Sequence, residues 1–430
     1  MKNKKIYTLL LICILMAAVF GCGNKEGTPE LPSDVVHSGI KMPKPGNGKV
    51  IKYQDLPKTE NNEDADVEEN SAGEAVDAGS TTTPLYEKVS FWGCGDNIIY
   101  YGNIRDAKKL SEGSREYNFK PVFKNLSDKI QNADISFINQ ETVMAGDGYD
   151  ISYYPRFNSP RDLGYDLCEL GFDVVNIANN HMLDKGADGL SKTIEFWKQQ
   201  PCLMIGGYEN AEDYDNLRII EKNGIRIAFL SYTWFTNGLS KPASSPLAIP
   251  YTKDEDMVRQ CKKAKEQAEF IIVSVHWGDE GSFKPNSDQR RIAQLLADNG
   301  ADVIVGHHPH VIQPVEWING KSGTRTLCVY SLGNFAAEQA YAYNMLGGTI
   351  EFDIVSENNG KPYVSNPVFT PTVFHFDSGF YNNTVYPLSE YTKELASSHG
   401  VRGYYKNAFG IDILEKYVEN CIAPEFLPMQ

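Results

Sequence analysis

Basic residues are in short supply in this chain of 430 residues: 41 Lys and Arg stand against 56 Asp and Glu, a formal net charge of −15. That deficit argues against nucleic acid as a partner, because binding a polyphosphate needs a basic face. It also removes any global pull on anionic polymers, so binding one would have to be local. Long apolar runs are missing too: Ile6 to Phe20 is apolar but too short for a comfortable membrane span. The eight cysteines never fall in CxxC spacing, which disfavours a structural zinc knuckle. There are no internal repeats. Histidine is equally sparse at eight, yet three of the eight lie within the four residues His307-His308-Pro309-His310.

At the N-terminus, Lys2, Lys4 and Lys5 precede the apolar Ile6–Phe20 stretch, and Val19-Phe20-Gly21-Cys22 resembles a bacterial lipobox. Residues 1–22 therefore read as a lipoprotein signal peptide, with Cys22 as the lipidated mature N-terminus. An uncleaved signal anchor is the alternative, against which the short apolar run argues. Either reading places the protein outside the cytoplasm, tethered to the bacterial cell membrane. Of the eight cysteines, removing Cys13 and committing Cys22 leaves six: Cys94, Cys168, Cys202, Cys261, Cys328 and Cys421. Secretion permits disulfides, but spacing alone predicts no pairing, and most of the six read as core thiols.

Residues 23–85 are rich in Pro, Gly, Asn, Glu and Asp, and Thr59 to Ser80 carries eight acids and no base. Such a stretch buries too little apolar surface to offset its ordering entropy, so it is expected to be a disordered, solvated spacer. Order is expected from about residue 86. Strands are expected at Val89–Gly93, Asp134–Ile138, Phe172–Ile177, Phe270–Val275 and Asp302–Val305, with later, antiparallel ones at Leu327–Tyr330 and Thr349–Val355. Helices are expected at Arg161–Leu170, Gly189–Gln199, Asp254–Ala268 and Ser287–Asn299, and Arg218–Tyr232 reads as a hairpin turning at Asn223-Gly224. Alternating strands and helices imply βαβ units, a mixed α/β fold with helices on both faces of its sheets. The main domain is expected over 86–376. Residues 377–430 read as a C-terminal extension to which the sequence assigns no role.

The expected strands end in polar residues. Asp96 follows the first and Glu141 the second; Asn180 and His181 follow the third; His276 follows a fourth; His308 and His310 follow a fifth. Each has a plain structural reading as a turn acid, a turn amide or a satisfied core histidine. Their joint placement is what matters, because open α/β sheets build sites at strand carboxyl ends. Imidazole and oxygen donors together suit Mn, Fe or Zn better than Mg or Ca. A bridging carboxylate could hold two ions about 3.5–4 Å apart, so one or two divalent ions are expected.

Six motifs occur in order: Gly95-Asp96, Asn139-Gln140-Glu141-Thr142, Ala178-Asn179-Asn180-His181-Met182-Leu183-Asp184-Lys185-Gly186, His276-Trp277-Gly278, Gly306-His307-His308-Pro309-His310 and Ser331-Leu332-Gly333-Asn334-Phe335. Together they resemble the CapA/PgsA family of capsule and poly-γ-glutamate synthesis proteins, within the calcineurin-like metallophosphatase superfamily, over roughly residues 89–374. The resemblance implies a metallophosphatase-type α/β sandwich. It implies that Asp96 and His310 ligate one metal, that Glu141 bridges, and that Asn180, His276 and His308 hold a second. It makes His181 the acid that protonates a leaving oxygen. The wider superfamily has a histidine two residues after the first aspartate, where this chain has Ile98, so the first site lacks a ligand. His307 would compensate or stand behind the ligands. Asp184 and Asn334 are candidates to orient ligand histidines, although Asp184 could equally cap the following helix. Arg156 and Asn139 are candidate substrate contacts; Arg156 and Arg161 could clamp a carboxylate or phosphate, or be ordinary surface arginines.

Three functions compete on this sequence. One is a membrane-anchored, extracytoplasmic component of capsule or poly-γ-glutamate production that hydrolyses a phosphoester or related bond. The second is a non-catalytic accessory that grips an anionic polymer during synthesis or export, within a membrane polymer-synthesis complex. The third is a secreted phosphoesterase unrelated to polymer. The retained Asn180-His181 pair favours catalysis, and Ile98 favours binding.

Overall fold

The computed structural model describes residues 86–430 apart from 112, 322, 324, 340, 405–407 and 430, all within the unit Met42–Gln430. The expected signal peptide, the lipidation at Cys22 and the acidic spacer over 23–85 lie outside the described residues. Among the described residues, no helix is long and apolar enough to cross a membrane.

In chain order the strands are β1 (Tyr86–Ile98), β2 (Ile135–Gln140), β3 (Val174–Asn176), β4 (Leu203–Ile205), β5 (Arg218–Lys222), β6 (Ile225–Thr233), β7 (Phe270–His276), β8 (Val303–His307), β9 (Val315–Asn319), β10 (Arg325–Val329), β11 (Asn334–Ala337), β12 (Leu346–Glu357), β13 (Tyr363–Asp377) and β14 (Tyr381–Pro387). They form two sheets. The first runs β14-β13-β12-β1-β2-β3-β4, with β11 also paired to β1; the second runs β5-β6-β7-β8-β10-β9. β1 to β4 are mutually parallel, as are β6, β7, β8 and β10. Their carboxyl ends are therefore brought to one edge of each sheet.

Side-chain alternation decides which core each face enters. In β6, Ile227 and Phe229 join the large core shared with the first sheet, while Ala228 and Leu230 join a second core. β7 repeats this with Ile272 in the first and Ile271 and Val273 in the second, and β8 with Val303 and Val305 against Ile304. The second core is closed by Met257 and Cys261 of the helix Asp254–Gln267 and by Ile292 and Leu296 of the helix Ser287–Asp298. Within the first sheet, Phe91 of β1 stacks on its cross-strand partner Phe352 of β12 at 4.6 Å; between the sheets, Phe137 of β2 stacks on His307 of β8 at 5.7 Å. Full burial of each such side chain contributes about 1.5–3 kcal/mol, so a one-residue slip in any strand would be strongly disfavoured.

The hairpin forms where Asn223-Gly224 predicts it, with φ of 48° and 81° at the two turn residues. Several expectations need correction. The expected helix at Gly189–Gln199 runs Gly186–Trp197, and the strand at Phe172–Ile177 shrinks to Val174–Asn176. β10 is antiparallel to β9, as expected, but parallel to β8. The boundary at 376/377 is not a structural one. β13 extends through it, β14 pairs with β13, and Phe409, Leu414, Val418 and Phe426 complete the large core. The tail's aromatic residues obey no clear period because they fill gaps left by distant strands.

Gly306 shows how closely this scaffold is packed. A Cβ there would fall 2.0 Å from the Tyr330 carbonyl oxygen and 2.7 Å from Trp277 Nε1, two atoms already hydrogen-bonded to each other at 2.9 Å. Gly306→Ala should cost about 1–3 kcal/mol or more by overpacking, read as a lower urea midpoint. An unchanged midpoint would contradict this packing.

Candidate metal centre

The site begins with an irregularity. The β1–β2 register slips between Cys94 and Asp96, and such bulges re-aim side chains. Gly95 makes the turn close: the Asp96 amide donates to the Gly333 carbonyl at 2.9 Å, and a Cβ on Gly95 would lie 2.0 Å from that same oxygen. Asp96, fully buried, accepts hydrogen bonds from Asn139 Nδ2 at 2.8 Å and from the His308 amide at 3.1 Å. His307 Nδ1 and His310 Nδ1 stand 3.2 and 3.3 Å from its oxygens. Burial alone would raise its pKa, but the hydrogen bonds and charges of His307 and His310 outweigh burial and hold it well below the usual carboxylate range.

Glu141 follows β2 directly and is in the opposite condition. It is fully buried and neither carboxylate oxygen has a hydrogen-bond partner. Its nearest cationic candidates are His276 Nε2 at 3.6 Å and His310 Nε2 at 3.9 Å. Burial pushes its pKa well above the usual value, only partly offset by His310. A buried carboxylate without partners is costly unless a cation or proton neutralises it.

The second sheet supplies imidazoles. His276, the last residue of β7, sits 2.8 Å from Asn180 Oδ1 and 4.8 Å, ring to ring, from His308. Burial lowers the pKa of His276 well below normal and that of His308 to about 3, so both rest as the neutral form that ligates metal. Burial also opposes charge on His310, but Glu141 and Asp96 outweigh it and raise the pKa to about 9. His308 and His310 adopt φ of 98° and 55°. Positive φ in such residues costs on the order of 1–3 kcal/mol and concentrates at functional sites. Here it brings two rings of one short loop within 5.6 Å of each other.

These donors fit a divalent ion. Glu141, His308 and His310 offer ligand atoms within 4.8 Å of one another, and so do Asp96, Glu141 and His276. Glu141 belongs to both groups. The partnerless Glu141 oxygens and His308 Nδ1 are the buried atoms that such an ion would satisfy. Nitrogen and oxygen donors without thiols match Mn, Fe or Zn. The structure thus gathers Asp96, Glu141, Asn180, His276, His308 and His310 in one place. His310 lies against Asp96 and beside His308, and His276 lies against Asn180 and beside His308. Where the wider superfamily places a histidine, Ile98 is packed in an apolar cluster with Phe157 and Ala337.

His181 is placed beside the cluster and is bound differently. Its Nδ1 meets Asp184 Oδ2 at 2.8 Å, and the same oxygen accepts the Phe157 amide at 2.7 Å, while the Phe157 ring meets His181 edge-on at 4.8 Å. Asp184 therefore orients a histidine instead of capping the helix. Asn334 Oδ1 lies 3.1 Å from His310 Nδ1. His307 lies behind the cluster, with Nδ1 on Asp96 and its ring on Phe137.

Two of the proposed substrate contacts are corrected. Asn139 is fully buried and committed, donating to Asp96 and accepting from Asn176 Nδ2 at 2.7 Å. Arg161 spends its guanidinium on the carbonyls of Met144, Ala145 and Lys192. Arg156 stays exposed next to Phe157, at the edge of the site. Sequence reasoning missed Asn237, which accepts from Asn180 Nδ2 at 3.2 Å and stands 3.3 Å from His181 Nδ1. Its only sequence signal was the turn pair Asn237-Gly238, which marks a turn but not its destination.

The family model of the bacterial capsule synthesis protein PGA_cap matches residues 90–339. The PGA biosynthesis protein CapA of Bacillus subtilis (strain 168) is 34% identical over 197 residues, covering 45% of this chain and 50% of the relative. The capsule biosynthesis protein CapA of Bacillus anthracis is 30% identical over 262 residues, covering 59% and 62%. The matches thus span between half and just under two thirds of these relatives' length. The crystal structure of the calcineurin-like phosphoesterase YfkN from Bacillus subtilis aligns with 67% of this chain and 91% of its own at 14% identity and a TM-score of 0.39, too slight a likeness to carry any inference.

Metal uptake should release protons. Below about pH 9 a proton resides on His310, and burial favours the protonated form of Glu141 as well; a cation must displace whatever protons the pair holds. Affinity for Mn, Fe or Zn should therefore weaken as pH falls. Calorimetry in buffers of different ionisation enthalpy checks the proton release, and elemental analysis checks content. His276→Ala and His308→Ala should each lose metal; full metal content in both would rule out the assignment.

Proposed function

The chain belongs to the bacterial capsule synthesis family matched over residues 90–339, and from that premise we propose that it is an extracytoplasmic, lipid-anchored protein of capsule or poly-γ-glutamate production whose metal centre hydrolyses a phosphoester or related bond. The observation that carries the catalytic part is Glu141, a buried carboxylate with both oxygens unpartnered and shared by two ligand groups. That is the demand a bridging ligand would place on its surroundings.

Divalent ions at this cluster would supply Lewis acidity and an activated water. The chain's own residues do the rest. Asp96, Glu141, Asn180, His276, His308 and His310 would hold the ions, with Asn139 and Asn334 fixing the orientation of Asp96 and His310. Asp184 engages His181 Nδ1 and so leaves Nε2 as the nitrogen that can carry a proton to a leaving oxygen. Phe157 and Asp184 keep that ring from turning. Anchoring through Cys22 and the spacer over 23–85 would hold the domain near a membrane polymer-synthesis complex, where an anionic polymer or its phosphoester precursor is the substrate class.

Ile98 favours a second reading. An apolar cluster around that residue supplies no ligand on its side of Asp96, which suits a centre that grips polymer carboxylates without turnover.

His181→Asn separates the two. A positioned general acid is worth about 10²–10⁴ in rate, so the variant should retain metal and stability yet lose that factor on a phosphoester with a poor leaving group, and much less on an activated one. If the wild-type protein hydrolyses no phosphoester and His181→Asn still supports polymer production in cells, the binding reading replaces the catalytic one.

Anchoring is tested separately. Cys22→Ser should release the protein from the membrane fraction. Retention there at unchanged mass would favour an uncleaved anchor.

A further inference from the structure

Outside the metal centre, two thiols face each other. Cys168 lies in the last turn of the helix Arg161–Leu170, and Cys202 immediately precedes β4. Their sulfur atoms are 2.7 Å apart, closer than two unbonded sulfurs normally rest. Backbone on both sides is fixed. The Gly171 amide closes the helix end onto the Cys168 carbonyl at 3.1 Å, and the Leu203 amide donates to Asp173 at 2.7 Å. Cys168 is half-buried, whereas Cys94, Cys261 and Cys328 are completely enclosed.

We propose that Cys168 and Cys202 form a disulfide when the protein meets an oxidising thiol–disulfide couple. The chemistry is an exchange. The thiolate of the accessible Cys168 attacks a small-molecule disulfide and expels one thiol, leaving a mixed disulfide. Cys202 then attacks the Cys168 sulfur and expels the second thiol. One sulfur–sulfur bond breaks and one forms; the two electrons lost by the pair reduce the reagent, and both cysteine protons end on the released thiols. An extracytoplasmic location, as proposed above, is where such a bond persists.

The bond would close a loop that contains β3, Asn180, His181 and Asp184. It would tie the helix end to the edge strand beside β3, so the segment that presents Asn180 and His181 would lose freedom in the unfolded chain and fray less in the folded one.

The test uses the full chain, equilibrated with oxidised glutathione, then denatured and alkylated without reductant. Peptide mapping should recover Cys168 and Cys202 as one linked peptide, with Cys94, Cys261, Cys328 and Cys421 alkylated. A dithiol reductant should lower the wild-type melting temperature by several degrees, to the value shown by Cys168→Ser and by Cys202→Ser, neither of which should respond to reductant. Recovery of both cysteines as separately alkylated peptides after oxidation would overturn the proposal. Neither readout depends on metal or turnover, so that result would leave the proposed function standing.

Discussion

Glu141 is a carboxylate buried between two sheets with no hydrogen bond to either oxygen, and the surrounding structure is organised around that fact. An isolated buried charge costs several kcal/mol even after relaxation. The protein places His276 and His310 within 4 Å of it, yet two imidazoles buried to the same degree cannot neutralise it fully. His310 is driven toward the charged form and His276 away from it. Neighbouring groups of the same types, driven in opposite directions, behave as one coupled unit, and a divalent cation is the species that would satisfy all of them at once.

Holding that unit together requires two sheets and one strained loop. Asp96 and Glu141 come from the first sheet, His276 and the histidine loop from the second. Asp96 ties them, accepting from Asn139 of its own sheet and from the His308 amide of the other. The left-handed conformations of His308 and His310 are tolerated because Asp96, Asn334 and Asn344 fix the loop on three sides; Asn344 Nδ2 donates to the His310 carbonyl at 2.9 Å. Strain of this kind persists only where its surroundings over-determine it.

Much of this was legible beforehand. Parallel strands ending in polar residues placed Asp96, Glu141, Asn180, His276, His308 and His310 as candidates, because strand ends are set by local alternation and by the turns that follow. The hairpin at Asn223-Gly224 was legible for the same local reason. Asn139 was misread because its side chain is a matter of what lies beneath Asp96, and Arg161 because the carbonyls it satisfies come from Met144, Ala145 and Lys192, on segments its own neighbours do not reveal. β13 and β14 were missed because antiparallel strands take their pairing from neighbouring strands, β13 from β12 and β14 from β13, and not from a strong local period.

The sequence by itself determined the chemical types of the donors, their order along the chain and the alternation that sends each strand's faces to separate cores. These are properties of neighbouring residues and of backbone periodicity. Tertiary structure alone decided which donors meet: that Glu141 of one sheet lies within reach of His276, His308 and His310 of the other, that Asn237 reaches His181 from a distant turn, and that the tail after β13 completes the core. Contacts between residues far apart in the chain depend on how two twisted sheets face one another, and no local pattern encodes that distance.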